Sequence, residues 1–214
     1  MFLQGVAMSY LTINSEGNSE YIEKRSKFLG VAVPCQTEQQ AFSILEDIKK
    51  KHWDARHNCY AFIVDDGLTT RFSDDSEPHG TAGKPILEVI SAKGLRNVLV
   101  IVTRYFGGVL LGTGGLVRAY TKAAKDALEN AKVVEMVPCT LAQIKCDYSA
   151  HSSLLRLLEN SKAVLQNTDF AENITLTFSI KDEDIPVFNK NLIENFAGKL
   201  NMIEIEKTIS PFEI

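Results

Sequence analysis

The segment Arg104–Tyr120, RYFGGVLLGTGGLVRAY, constrains the fold of this chain more than any other stretch. Five glycines fall within nine residues: Gly107, Gly108, Gly112, Gly114 and Gly115. The preceding apolar run, Val98–Thr103, reads as a buried strand, and a helix is expected from about Thr113 to Ala131. Glycines let backbone approach a ligand closely, and a helix N-terminus presents free N–H groups, so this geometry suits a phosphate. A tight βα connection in which the glycines only relieve crowding is the plainer alternative. Neither common nucleotide motif is complete. Gly107–Gly112 has the spacing of a P-loop, but Thr113 stands where the lysine belongs. Gly112 and Gly114 begin a dinucleotide fingerprint, but Val117 occupies its third glycine position.

The helix that follows has two faces. Arg118, Lys122 and Lys125 stand at i, i+4 and i+7 and share one side, while Leu116, Tyr120, Ala123 and Ala127 lie on the other. The candidate ligand or nucleic-acid surface is therefore Arg104, Gly107, Gly108, Gly112, Thr113, Gly114, Gly115, Arg118, Lys122 and Lys125. A solvated charged face would show the same pattern.

Other constellations point away from catalysis. Asp74, Asp75, Glu77 and His79 lie close together in SDDSEPHGTAGKPI, but their spacing matches no hard-cation loop. A structured turn whose carboxylates bond backbone N–H groups explains them better. His57 and Cys59 alternate onto one face of a strand, yet no orienting group or oxyanion hole accompanies them. Cys35, Cys59, Cys139 and Cys146 form no C-x-x-C pair, so free thiols in a reducing compartment are expected. No catalytic residue, metal site or cofactor is expected.

Two domains are expected in the 214 residues, 1–137 and 138–214, with Val137-Pro138 as the junction. The first is neutral, with 16 basic and 16 acidic side chains; the second, with 7 against 11, holds the whole deficit of −4. That balance gives no global attraction to polyanions, so any such binding must use a local patch in the first domain. In the first domain, Lys27–Val33 reads as a strand. Thr37 opens a helix with Gln40 at capping-box offset, and Ala41, Phe42, Leu45 and Ile48 form its inner stripe. Cys59–Val64 and Leu68–Phe72 read as strands about an Asp66-Gly67 turn, followed by a polar Gly/Pro segment, Ser73–Pro85. The second domain reads strand, helix, strand, strand, helix, strand. This βαββαβ order is that of a ferredoxin-like domain, with Ile174, Leu176, Phe178 and Ile180 alternating along one strand. The longest uninterrupted apolar run, Val98–Val102, is far short of the about 20 residues a bilayer span needs. The start, MFLQGVAMSY, lacks the features of a signal peptide, and Met1 and Met8 are both candidate starts. A cytoplasmic location is expected.

Four segments carry a resemblance: RSKF at Arg25–Phe28, HNCYAF at His57–Phe62, DDSEPHGTAGKPIL at Asp74–Leu87, and RYFGGVLLGTGGLVRAY at Arg104–Tyr120. Together they resemble the IMPACT/YigZ family. The chain departs from it at Ser76, where the family usually has glycine, which puts the local turn geometry in question. The resemblance implies an α+β protein. Its first domain would be similar to the βαβ-type fold of a small-subunit ribosomal protein and of the fourth domain of elongation factor G. Its second would be similar to the fifth domain of that factor. Eukaryotic relatives regulate translation initiation by competing for an activator of a stress kinase. They use an extra N-terminal module that this sequence does not show, so that partner is not carried over. Relatives have been called peptidases, which no residue here supports, and the family supplies no catalytic residues to transfer. The expectation is a non-enzymatic protein that regulates translation through RNA, the ribosome or a translation factor. It is not expected to contact a membrane or to read DNA sequence. The alternative is an enzyme or sensor that holds a small phosphorylated ligand at Gly107–Gly115.

Overall fold

In this computed structural model, which describes residues 9–214, the apolar run of the glycine-rich segment becomes the central strand of a five-stranded sheet. The candidate starts Met1 and Met8 and most of the signal-peptide reading lie outside the described residues. In chain order the elements are β1 (Tyr10–Ile13), β2 (Gly17–Glu23), β3 (Ser26–Pro34), α1 (Glu38–Lys51), β4 (His57–Val64), β5 (Thr69–Ser73), α2 (Gly83–Ala92), β6 (Val98–Tyr105) and α3 (Gly112–Asn130). There follow β7 (Val133–Cys146), α4 (His151–Asn160), β8 (Val164–Phe170), β9 (Ile174–Lys181), α5 (Ile185–Phe196) and β10 (Met202–Glu213). The chain is thus an α+β protein. It divides into two compact units, one of Tyr10–Glu135 with Glu213–Ile214, the other holding Met136–Phe212.

In the first unit the sheet runs β2-β3-β6-β4-β5, every neighbouring pair antiparallel. β3 and β4 therefore run parallel on either side of β6, with α1 as their crossover. β6 is buried on both faces, which is why its sequence is apolar without alternation. Phe62, Val64, Leu99 and Ile101 meet Ala41 and Leu45 of α1 on one side. Cys59, Ala61, Val98, Val100 and Val102 meet Ile86 and Ile90 of α2, and Leu116, Tyr120, Ala123 and Ala127 of α3, on the other.

Local signals account for the helix ends. Thr37 Oγ1 accepts from Gln40 N at 3.2 Å, while the Gln40 side chain accepts from Gln36 N at 2.8 Å, one residue before the position a capping box uses. Phe42 is 37% exposed, so the inner stripe of α1 is carried by Ala41 and Leu45, with Ile44 and Ile48 half-buried. Three elements have no counterpart in the sequence reading: β1, β2 and α2. α2 lies partly inside the segment taken as a Gly/Pro loop. Pro85 is compatible with a helix there because it stands in the first turn, where no N–H is needed. The Ile86 and Ile90 pair, buried at i and i+4, was the available signal.

The other five-stranded sheet runs β1-β7-β9-β8, with β10 also paired to β7, and from β7 onward the element order is β, α, β, β, α, β. Ile174, Leu176, Phe178 and Ile180 all point into its core with Leu154, Leu158, Phe188 and Leu192. α5 ends through two left-handed residues, Ala197 and Gly198, with Gly198 N bonded to Ile193 O at 3.2 Å. Pro138 lies inside β7, and the two compact units divide between Glu135 and Met136. The strand tolerates proline because pairing with β9 begins only at Cys139, opposite Lys181. Among the described residues no helix is long and apolar enough to cross a membrane.

Candidate functional site

The acidic turn organises the first unit. Asp74 accepts backbone N–H bonds from Gly80 at 2.8 Å, Ala82 at 3.0 Å and Gly83 at 2.8 Å. Ala82 and Gly83 begin α2, which has no capping side chain of its own, so Asp74 caps that helix from a distance. Burial alone would raise the Asp74 pKa. The bonds from Gly80, Gly83 and Ala82 outweigh it and hold the carboxyl below its ordinary value. Asp75 Oδ2 accepts from Asn58 N at 2.7 Å and ties the turn to β4. The carboxylates thus serve backbone, and among the described residues no three potential ligands converge as a metal site requires.

Ser76 adopts φ of 70°, in the left-handed region that favours glycine. Ser76→Gly is accordingly expected to raise stability by about 0.5–1 kcal/mol through relief of strain, less the extra entropy of an unfolded glycine. A urea midpoint below that of the wild type would refute it.

The same turn places Glu77 in the core. Its Oε1 lies 2.6 Å from Arg104 Nη1 and accepts from the Tyr120 hydroxyl at 2.8 Å. The side chains of Arg104 and Glu77 are only 7% and 3% exposed. The Arg104 guanidinium lies 5.5 Å from the ring centroids of both Phe28 and Phe106. Tyr120, wholly buried, crosses Phe28 edge-on at 5.1 Å. Burial pushes its hydroxyl pKa far up, so it keeps its proton and donates. Arg104 is therefore no part of a surface stripe. Its charge is spent on Glu77, although its buried Nε has no partner among the described residues. Glu77 escaped notice in the sequence because nothing local marks one acidic residue in an acidic turn as the buried one.

The glycines of the loop have separate explanations. A Cβ on Gly107 would sit 2.0 Å from the Arg25 carbonyl carbon, so crowding accounts for it. Gly108 and Gly112 hold positive φ, 83° and 69°. Gly114 has neither excuse. It stands in the first turn of α3, without positive φ, and a Cβ there would meet nothing within 4 Å. Glycine in a helix is destabilising by roughly 0.5–1 kcal/mol relative to alanine. No side chain caps α3, and Gly112, Thr113 and Gly114 are exposed.

The basic stripe is less open than its spacing implied. Lys122 pairs with Asp126 at 2.6 Å and Lys125 with Glu129 at 3.7 Å, both at i, i+4. Arg118, also exposed, has no ion pair among the described residues, and it lies one helical turn after Gly114.

A cleft of about 420 Å³ opens between the acidic turn and the start of α3, lined by Arg56, His57, Glu77, Arg104, Phe106, Leu110, Thr113 and Leu116 among others. His57 Nδ1 lies 2.8 Å from the Asp75 carbonyl oxygen, and that contact assigns the proton to Nδ1, leaving Nε2 as an acceptor. Cys59 is buried and donates to the Asp74 carbonyl at 3.0 Å, and burial pushes its pKa far up, so it remains a thiol.

This chain is thus of the two-domain α+β class, with Asp74 capping α2 and Glu77 joining the acidic turn to Arg104 at the glycine-rich segment. Residues 24–128 match the model of the Impact N-terminal domain, and residues 144–199 match a domain of unknown function (DUF1949). The IMPACT family member YvyE of Bacillus subtilis (strain 168) is 34% identical over 201 residues, covering 94% of this chain and 93% of that protein. YigZ of Escherichia coli (strain K12) is 32% identical over 187 residues, 86% and 92% of the two chains. Protein IMPACT of Oryctolagus cuniculus is 35% identical over only 94 residues, 42% of this chain and 30% of its own. A crystal structure of a hypothetical protein superposes with a TM-score of 0.58 at 31% identity, covering 92% of this chain and 98% of that one. This chain belongs to the IMPACT family, in its bacterial two-domain form.

Proposed function

We propose that this IMPACT family member is a binding protein that acts in translation by docking the phosphate backbone of RNA along the Gly114–Arg118 side of α3. Gly114 carries the reading: an exposed glycine in the first turn of α3, where a Cβ would meet nothing and no positive φ requires it. Such a position makes sense where a ligand must come within contact distance of backbone N–H groups. Arg118, exposed and one turn further on, supplies a charge for the next phosphate. The translational setting rests on the resemblance of the two domains to parts of elongation factor G. The βαββαβ element order from β7 to β10, with β7 between β9 and β10, supports the ferredoxin-like domain that resemblance implies.

The test is a salt titration of RNA binding by wild type and two variants. Arg118→Glu is expected to flatten the slope of log affinity against log salt by about 1 unit. Gly114→Ala is expected to weaken binding by about tenfold while raising stability by about 0.5–1 kcal/mol, since only the ligand needs the open position. Neutralising Lys122 or Lys125 should matter less, because each already has a carboxylate partner. A folded Arg118→Glu variant with unchanged affinity and slope would make the stripe a solvated face and nothing more.

A further inference from the structure

We infer that the cleft beside α3 binds a nucleoside monophosphate group, either as a free mononucleotide or as the 5′-terminal nucleotide of an RNA; in its RNA form this rests on the reading above. Three independent features converge there. First, the cleft of about 420 Å³ is bounded by Gly112 and Thr113, the opening residues of a helix whose N–H groups no side chain caps. Its size falls within the range of about 300–1,000 Å³ for small-molecule sites. Second, it is lined by an arginine whose bonding is incomplete. Arg104 is 6% exposed and its Nε lacks a partner among the described residues, a condition that buried donors rarely tolerate. Third, the wall is apolar and open at once. Phe106 and Leu110 line the cleft with large exposed surfaces, 45% and 83%. A ring stacked on Phe106 would cover what water now meets.

The charges also sum correctly for an anion. Arg56 is exposed and has no ion pair among the described residues, so it rims the cleft as a free cation. Glu77 is the opposing charge, but it is already matched by Arg104 at 2.6 Å and by the Tyr120 hydroxyl at 2.8 Å. One positive charge and the positive end of α3 therefore remain for the ligand. Nε2 of His57, 4.0 Å from Glu77 Oε1, stands on the same wall. In its assigned tautomer it is an acceptor, which suits the hydroxyl of a ribose and not a phosphate oxygen. Phosphate at the helix start and Arg56, ribose at His57, and base against Phe106 is the arrangement this chemistry selects.

The experiment is calorimetric titration of the full chain with adenosine 5′-monophosphate, adenosine and inorganic phosphate. Parallel titrations use one short RNA carrying either a 5′-phosphate or a 5′-hydroxyl. The nucleotide is expected to bind at least about tenfold tighter than adenosine or inorganic phosphate, and Arg56→Gln to reduce that affinity by about tenfold with the fold intact. The 5′-phosphorylated RNA should gain a similar factor over its hydroxyl counterpart. RNA binding that ignores the 5′ end, with no mononucleotide binding, would overturn the cleft and leave the backbone reading standing. Mononucleotide binding without RNA binding would do the reverse. Equal affinity for nucleotide, nucleoside and inorganic phosphate, or an Arg56→Gln variant indistinguishable from wild type, would also overturn the cleft.

Discussion

Alanine in place of Glu77 is expected to destabilise the first unit by about 3–5 kcal/mol, the range for breaking one side of a buried ion pair. The carboxylate and the Arg104 guanidinium are both nearly devoid of solvent and lie 2.6 Å apart. Removing the carboxylate strands a charge that has little contact with water and whose Nε already lacks a partner among the described residues. It also deprives the Tyr120 hydroxyl of its acceptor. Replacing both members, Glu77→Leu with Arg104→Met, should therefore cost less than Glu77→Ala alone, because no uncompensated charge remains. Denaturant titration of the four members of this cycle measures the coupling. A Glu77→Ala loss below about 1 kcal/mol would mean that water reaches the pair.

Asp74→Ala should be nearly as damaging, at about 3 kcal/mol, since bonds to a charged group are worth about 1.5–3 kcal/mol each and are not additive. Three N–H groups, on Gly80, Ala82 and Gly83, lose their shared acceptor, and α2 loses its cap. The side chain is 14% exposed, so water replaces little of this. The effect has a pH signature. The folded carboxyl is held below its ordinary value, so its contribution is fully present above the unfolded pKa, near about 3.9, and is lost as pH falls through the folded value. The gap between wild type and Asp74→Asn in urea midpoint should hence shrink with acidification below pH about 4. A gap that stayed constant down to the acid transition would detach Asp74 from the stability of the turn.

These two effects could not be ranked from sequence. Asp74, Asp75 and Glu77 are alike on paper, three carboxylates in one turn. In the folded chain Asp74 caps a helix, Asp75 anchors a strand, and Glu77 enters the core. The segment Ser73–Pro85 was legible as a structured turn, but the helix that begins at Gly83 was hidden behind a glycine and a proline. For the candidate site, the glycine cluster was visible and its meaning was not. Only the surroundings of each glycine separate Gly107, which crowding requires, from Gly114, which nothing in the chain requires.

What the sequence determined by itself was whatever depends on local period. The unbroken apolar run of β6, the two faces of α3, the alternation of β9 and the βαββαβ order of the second half all follow from side chains a few residues apart. Periodicity states which side of an element is buried. It does not state what arrives on the other side. Glu77 is the shared partner of Arg104, 27 residues on, and of Tyr120, 43 residues on, and packing alone brings the three together. The ion pairs that quiet Lys122 and Lys125 were within reach of the sequence, at i+4, but whether Arg118 would stay free depended on every element that could have approached it. Tertiary structure decided the roles of the charges because a charge takes its value from its solvent and its neighbours, and both are set by chain segments remote in sequence.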